Sequence, residues 1–521
     1  MNIQVCDKNE IKTNIENYYK KSMECLNQNK IEEGLNYAFK IHMITNSKIK
    51  IPYLAILYIE YGHDIKDLLM IEKGIFLLKE NKEELKKNFN EFQILYNLAN
   101  GYLYYYTLTN QKFRGSENIV LTIKNYYNES LMKNKTRLLK SNTLTNLGNL
   151  YHELNRFFDA LECYEKSLKC NPDHGMTYYN KGILLKKYAL IMNNDISLIY
   201  DAYLCFEKTL KDETIHPQVK YSANREIKTI KKYFDIELLK KEHDLNIKEE
   251  YKHDTKFEKF YHEFCMKNRL YINICDYCQK CDRSYGDREC IKKMTVKIDV
   301  TLEKDPFLIL SSYLNQIKME FASSRLYLIL SQYPKNNLKF IHENVTMIET
   351  YSYELNNINI QLLKDSFNNF YNILDKIAYF INEYCELGEK KSKIYFKNIW
   401  YSKFNYQSSK KSIIRDELNI DNPYLSALID ITEDLNWGDK KILNMIRNTI
   451  THKYLNIQLY NQDENNKSIS PEELLKNTID LAKIVRNVII YTICFVDYEE
   501  NKNNKENSFK IKALEVPNIL K

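Results

Sequence analysis

The chain has 521 residues, 44% of them hydrophobic, which is more than one hydrophobic core usually organises, so two or three separately cored domains are expected. Only 11 Gly and 8 Pro punctuate it, too few turn signals for an all-β protein, and helix is the expected class throughout. The formal net charge of +7 rests on an Asn-, Ile-, Tyr- and Lys-rich composition of AT-rich character and is a weak argument for nucleic acid by itself.

The start, Met1 to Asn14, lacks the apolar core of a signal peptide, and nowhere do about 18 apolar residues run together. A cytoplasmic protein with no membrane partner is expected, its 12 Cys reduced rather than paired.

The first two fifths read as repeats. Leu147, Gly148, Tyr151, Ala160, Tyr164, Ser167 and Pro172 stand at the spacings of a tetratricopeptide repeat. Gly148 and Ala160 are small where two antiparallel helices must approach, Tyr151 and Tyr164 fill the space between them, and Pro172 stops the second helix. Partial copies flank it: Ser22, Cys25, Gly34, Ala38 and Ile41 upstream, then Leu95, Leu98, Ala99 and Tyr102, and downstream Gly182, Ala202, Phe206 and Thr209. Each helix pair needs neighbours to bury its apolar face, so an α-solenoid is expected over residues 1–215, with a concave surface suited to a protein or peptide partner.

Residues 216–256 are dense in Lys, Glu and Asp, with Ile230, Phe234, Leu238 and Leu239 spaced among them, which predicts an exposed helical connector. Residues 257–304 form a cysteine-containing linker in this reading, ending in a β-like run from Met294 to Leu302. Cys275, Cys278, Cys281 and Cys290 offer thiolates for a structural zinc, with His262 and Cys265 just upstream, although the two C-x2-C pairs overlap on Cys278. Reduced thiols with no metal fit the same spacing.

Long amphipathic patterns then resume, Phe307 to Tyr333, Ile360 to Leu387, Pro423 to Leu435, Asp439 to Leu455 and Pro471 to Tyr498, predicting a second helical bundle over residues 305–500. Residues 501–521, rich in Asn and Lys, are expected to form a flexible tail. Within the fourth pattern, about 100° per residue puts Ile442, Leu443, Ile446 and Ile450 on one arc and Arg447, Asn448, Thr451 and His452 on the other. A cation, an amide, a hydroxyl and an imidazole side by side can hold and attack a phosphodiester, but an ordinary solvated helix face has the same composition.

This segment resembles the Arg-x4-His motif of the HEPN (higher eukaryotes and prokaryotes nucleotide-binding) superfamily, with a polar Asn448 after the Arg. The stretches Asn315 to Tyr327, Leu374 to Leu387 and Arg447 to Leu455 resemble the subfamily joined to tetratricopeptide repeats. The resemblance implies an all-α chain, a tetratricopeptide-type solenoid followed by an HEPN-like bundle. It also implies a metal-independent endoribonuclease, of toxin or antiviral-defence type, that needs no cofactor. His452 would then transfer protons, Arg447 stabilise phosphate and transition state, and Asn448 orient; Asp375 and Lys376 on a preceding helix, with Thr451, would support them, although a surface charged pair on an amphipathic helix accounts equally for Asp375 and Lys376.

RNA carries its own 2′-OH nucleophile, so such chemistry needs proton transfer and charge stabilisation. Arg447 and His452 lie about 140° apart on one helix, a poor fit to a two-proton scheme in a single chain, and a homodimer pairing the two helices would supply both groups twice. The competing reading is a non-enzymatic adaptor whose repeats bind one partner and whose bundle only dimerises or binds nucleotide or RNA. Walker-type loops, Gly-x-Ser-x-Gly elbows and His-Glu-x-x-His motifs are absent from the sequence, which leaves those chemistries unsupported.

Overall fold

The computed structural model describes residues 8–44, 48–109, 117–134, 136–191, 196–246, 252–274, 284–291, 293–295, 306–334, 338–348, 354–407, 411–458, 468–502 and 508–510. The chain divides into two compact units, Met1–Glu242 and His243–Lys521. Among the described residues, no helix is long and apolar enough to cross a membrane.

The first unit is a succession of helix hairpins. The helices are α1 (Lys8–Asn27), α2 (Ile31–Met43), α3 (Lys50–Asp64), α4 (Leu68–Glu80), the short α5 (Lys82–Asn88), α6 (Glu91–Thr109) and α7 (Glu117–Lys133). After them come α8 (Arg137–Glu153), α9 (Phe157–Cys170), α10 (Gly175–Ile191), α11 (Ile196–Lys211), α12 (Pro217–Tyr233) and α13 (Ile236–Asn246). The pairs α1/α2, α3/α4, α6/α7, α8/α9 and α10/α11 pack as antiparallel hairpins.

Three hairpins turn in the same way. Asn29, Lys66 and Asn155 adopt left-handed φ values of 58°, 59° and 58°. The next amide in each case reaches back to the helix, Lys30 to the Cys25 carbonyl at 2.8 Å, Asp67 to Gly62 at 2.7 Å and Arg156 to Tyr151 at 2.8 Å. These are helix C-terminal caps of Schellman type, which satisfy carbonyls that the helix leaves open.

The close approaches expected from sequence are present. A Cβ on Gly148 would stand 2.7 Å from the ring of Tyr164, and one on Gly182 would stand 2.7 Å from the ring of Phe206. Tyr164 and Phe206 are fully buried, as are Ala160, Ala202, Ser167 and Thr209. A polar ladder links successive hairpins: Tyr127 donates to Asn100 Oδ1 at 2.7 Å, and Asn146 Nδ2 donates to the same oxygen at 3.0 Å and to Tyr96 Oη at 3.2 Å.

The solenoid extends further than the sequence suggested. Helix α12 packs against α11, with Ala223, Ile227 and Ile230 buried, so the segment expected to be an exposed connector from residue 216 continues the stack. Leu239 on α13 is buried as well, whereas Leu238 is exposed.

In the second unit the elements are α14 (Lys256–Asn268), β1 (Lys293–Thr295), α15 (Pro306–Gln332), α16 (Lys339–Glu343), α17 (Ile358–Tyr384), β2 (Tyr401–Lys403), β3 (Ile413–Ile414), α18 (Pro423–Asn436), α19 (Lys441–His452), α20 (Pro471–Lys502) and β4 (Ser508–Lys510). Helix α17 is central, packing along α15 and against α20, which in turn packs on α18. Phe321, Phe367, Phe370, Ile377, Val485 and Ile489 fill this core. Asn357 and Asn422 cap α17 and α18, their side chains accepting from first-turn amides.

The segment expected to be a linker, residues 257–304, is instead built into the bundle where it is described. Arg325 on α15 grips Asp287 through two bonds, at 2.9 and 2.7 Å, and donates to the Leu270 carbonyl at 2.7 Å and to Tyr261 Oη at 2.8 Å. Arg486 on α20 donates to the carbonyls of Tyr271, at 2.8 Å, and of Asn273. Both arginines are buried, so these acceptors offset a desolvation cost that neither could bear unpaired. The tail also differs from expectation: Ser508–Lys510 pairs antiparallel with Lys293–Thr295, in the register Met294 opposite Phe509.

Candidate functional site

Helix α19 places the Arg and His. Leu443 and Ile446 are its buried anchors against α17 and α18, while Ile442 is 36% exposed and Met445 49% exposed. The apolar arc expected from Ile442 to Ile450 is therefore only partly covered, because two neighbouring helices wrap one side of α19.

Arg447 is half-buried. Its guanidinium lies 5.5 Å from the centroid of the Tyr371 ring on α17, and Nη1 donates to Asn448 Oδ1 at 3.2 Å. Asn448 in turn donates to Asn444 Oδ1 at 3.3 Å. Arg447 Nε is shielded from water and has no hydrogen-bond partner among the described residues. Such a donor is costly to leave unsatisfied in a folded protein, and an anionic oxygen would satisfy it.

Asp375 stands one helical turn beyond Tyr371. Burial pushes its carboxyl up, while the hydrogen bond from Phe396 and the positive charges of Arg447 and Lys397 pull it back down. The Phe396 amide donates to Asp375 Oδ1 at 2.9 Å, tying the loop after α17 to the wall that holds Arg447. Burial raises the Tyr371 hydroxyl, with Asp375 adding to the effect and Arg447 opposing it.

The remaining residues are spread differently. His452 is the last residue of α19, exposed, with no hydrogen-bond partner among the described residues, and Thr451 beside it is exposed too. Lys376 belongs to another face of α17, where it forms an ion pair with Glu320 on α15. Arg447, Asn448 and Asp375 are thus brought together, His452 and Thr451 sit at the helix end, and Lys376 is turned elsewhere. Cys275, Cys278 and Cys281 lie outside the described residues; Cys290 is partly buried. Burial pushes the Cys265 thiol up to about 12.

The structure adds residues that sequence reasoning passed over. Lys397 Nζ lies 5.5 Å from the Tyr395 ring and 5.3 Å from the Tyr406 ring, and Tyr406 is 71% exposed. Phe404 meets the Tyr406 ring edge-on at 4.8 Å between centroids and Trp437 lies tilted against Phe404 at 5.5 Å, the Trp437 indole donating to the Tyr406 carbonyl at 3.3 Å. The signal was there in the alternation of aromatic and lysine residues from Tyr395 to Tyr406, a pattern that suits single-stranded nucleic acid.

A family model described as LA2681-like HEPN matches residues 303–499, and a tetratricopeptide-repeat model matches residues 141–174, the α8/α9 hairpin. No curated protein matches the chain. The chain therefore joins a tetratricopeptide repeat to an HEPN domain of the LA2681-like family, and the segment from Arg447 to His452 lies inside that domain.

Proposed function

We propose that this chain is a metal-independent endoribonuclease, an effector of toxin or antiviral-defence type, whose solenoid binds a protein that restrains or activates it. The domain pairing supports the coarser half of this reading, chemistry on RNA or nucleotides joined to protein interaction. The observation that carries the finer half is Arg447, packed on Tyr371 with a shielded Nε left without a partner among the described residues.

In this reading a phosphodiester oxygen accepts from Arg447, whose charge stabilises the extra negative charge on phosphorus. His452 takes the proton of the 2′-OH, and the His452 of a second copy protonates the departing 5′-oxygen. Exposed Met445, seven residues before His452 and so on the same side of α19, would be covered where two copies pair. Tyr395, Lys397 and Tyr406 offer ring faces and a cation to the strand on either side of the scissile bond. The product would carry a 2′,3′-cyclic phosphate, and DNA, lacking the 2′-OH, would be left intact.

Cleavage of total RNA by the purified full chain in EDTA, with His452→Ala alongside, tests this. Loss of cleavage in the variant, by at least about 100-fold, is expected, since acid–base help is worth roughly 10²- to 10⁴-fold. Equal cleavage by both proteins sinks the assignment. No cleavage by either, together with no growth arrest on expressing the wild type, selects the adaptor reading in which the bundle only dimerises or holds RNA.

A further inference from the structure

Around the start of α14, three side chains converge that the proposed RNA chemistry does not use. The ligating atoms of His253, Glu258 and His262 all lie within 4.8 Å of one another. The rings of His253 and His262 are 5.4 Å apart between centroids, and His262 Nε2 is 3.7 Å from Glu258 Oε1. Glu258 and His262 are four residues apart on one helix, hence on one face, and His253 comes from the segment just before it.

The surroundings orient two of the three groups. Thr255 caps α14 by accepting from the Glu258 amide at 3.0 Å, and Glu258 Oε2 accepts from the Asp254 amide at 2.7 Å. This reciprocal cap fixes the carboxylate through one oxygen and accounts for that oxygen only. The other, Oε1, faces His262. On the far side of that ring, Nδ1 is hydrogen-bonded to the Tyr271 hydroxyl, which also bonds the sulfur of Cys265. If Tyr271 gives its proton to the sulfur, it accepts from His262 Nδ1–H, and Nε2 presents a lone pair towards a carboxylate oxygen. An imidazole that has its second nitrogen held by an outer hydrogen bond and its first beside a carboxylate oxygen is the usual arrangement at a metal.

We infer that His253, Glu258 and His262 form a zinc(II) site separate from the cysteine cluster. Two imidazoles and a carboxylate are a borderline-soft donor set, matched to zinc rather than to magnesium or calcium, which take oxygen ligands. Three protein ligands leave a fourth tetrahedral position for water. The ion clamps the residues before α14 to its first turns and, through Tyr271, to the 270–274 segment that Arg325 and Arg486 hold. The site belongs to α14 and the residues just before it, not to α19.

Full-length protein stripped with a chelator and dialysed against zinc(II) alone tests this by metal analysis. The triple variant Cys275→Ser, Cys278→Ser, Cys281→Ser removes the competing thiolates. In that background a single zinc ion per chain is expected, together with a zinc-dependent rise in melting temperature. His253→Ala added to it should abolish both, and Tyr271→Phe should weaken zinc by about 10- to 100-fold, the usual cost of losing an outer-shell partner. Cobalt(II) in the triple variant should give visible d–d bands without a thiolate charge-transfer band. A triple variant that binds no zinc, or one whose zinc survives His253→Ala with circular dichroism unchanged, overturns the assignment.

Discussion

Asp375 and Arg447 face each other across the packing of α17 on α19, the carboxyl raised by burial and lowered again by the guanidinium. Asp375 also holds the Phe396 amide, so one side chain sets both the charge beside Arg447 and the loop carrying Lys397. On the proposed function it is a positioning residue.

Asp375→Asn keeps an oxygen for the Phe396 amide but removes the charge. RNA cleavage is expected to fall about 10- to 100-fold in kcat, with KM for RNA little changed, as for a misplaced catalytic cation. Thermal stability should be unchanged or higher, because a half-buried charge is gone. A parallel loss of stability and activity would mean that Asp375 is only structural.

Glu60 makes the solenoid less stable as pH rises towards neutrality. Burial pushes its carboxyl up from 4.5 to about 7, against the hydrogen bond from Tyr104, whose hydroxyl donates at 3.4 Å. Between those values the folded state binds more protons than the unfolded, so stability falls as pH rises through this window and the loss is complete above pH 7. Glu60→Gln should stabilise the protein by about 1–2 kcal/mol at pH 8, a full shift discounted for partial exposure, and by little at pH 4.5. Urea melts at the two pH values check this. His152 acts on the acid side. Burial, then the charge of Lys187, hold it down to about 4, so stability is lost as pH falls from 6.5 towards 4.

Gly148→Ala sets two effects against each other. Alanine favours a helix interior by roughly 0.5–1 kcal/mol over glycine. The new Cβ would stand 2.7 Å from the ring of Tyr164, which is fully buried and has no room to retreat. Overpacking of that kind costs about 1–3 kcal/mol, so a net destabilisation of about 1–2 kcal/mol is expected in a denaturant melt.

Lys66→Gly should act the other way. Lys66 holds a φ of 59° at the cap between α3 and α4, a region that costs an L-residue roughly 1–2 kcal/mol. Asn29 and Asn155 at the matching turns are better suited to it, and glycine better still. A gain of about 1 kcal/mol is expected, and no change would show that the turn is strained for reasons other than its side chain.

The hairpins were legible because packing against an adjacent helix imposes a local, recurring demand: small at 148 and 182, large at 164 and 206. The bundle was legible from periodicity, whereas the polar arc of Arg447 to His452 has the composition of any solvated helix face and drew its meaning from the family resemblance. What was hidden depends on long-range pairing. Nothing in the pattern shows that Arg325 reaches Asp287, or that Arg486 reaches back over 213 residues to Asn273, so a packed segment read as a linker. Lys376, one residue from Asp375, turns some 100° away on its helix and finds Glu320. Tyr371 and Lys397 gained meaning only once α17 and the following loop were placed beside α19.

The reach of Arg486 also bears on synthesis. Each solenoid hairpin closes between neighbouring helices, whereas the C-terminal unit requires α20, and then β4, before Tyr271, Asn273 and β1 find their partners. At translation rates of about 5–20 residues per second, the repeats have many seconds to fold on the ribosome before that unit can close. On the proposed function, a regulator that recognises the repeats has time to seat on the nascent chain before the site around Arg447 is complete, and the order of translation itself would guard the cell from an unaccompanied nuclease.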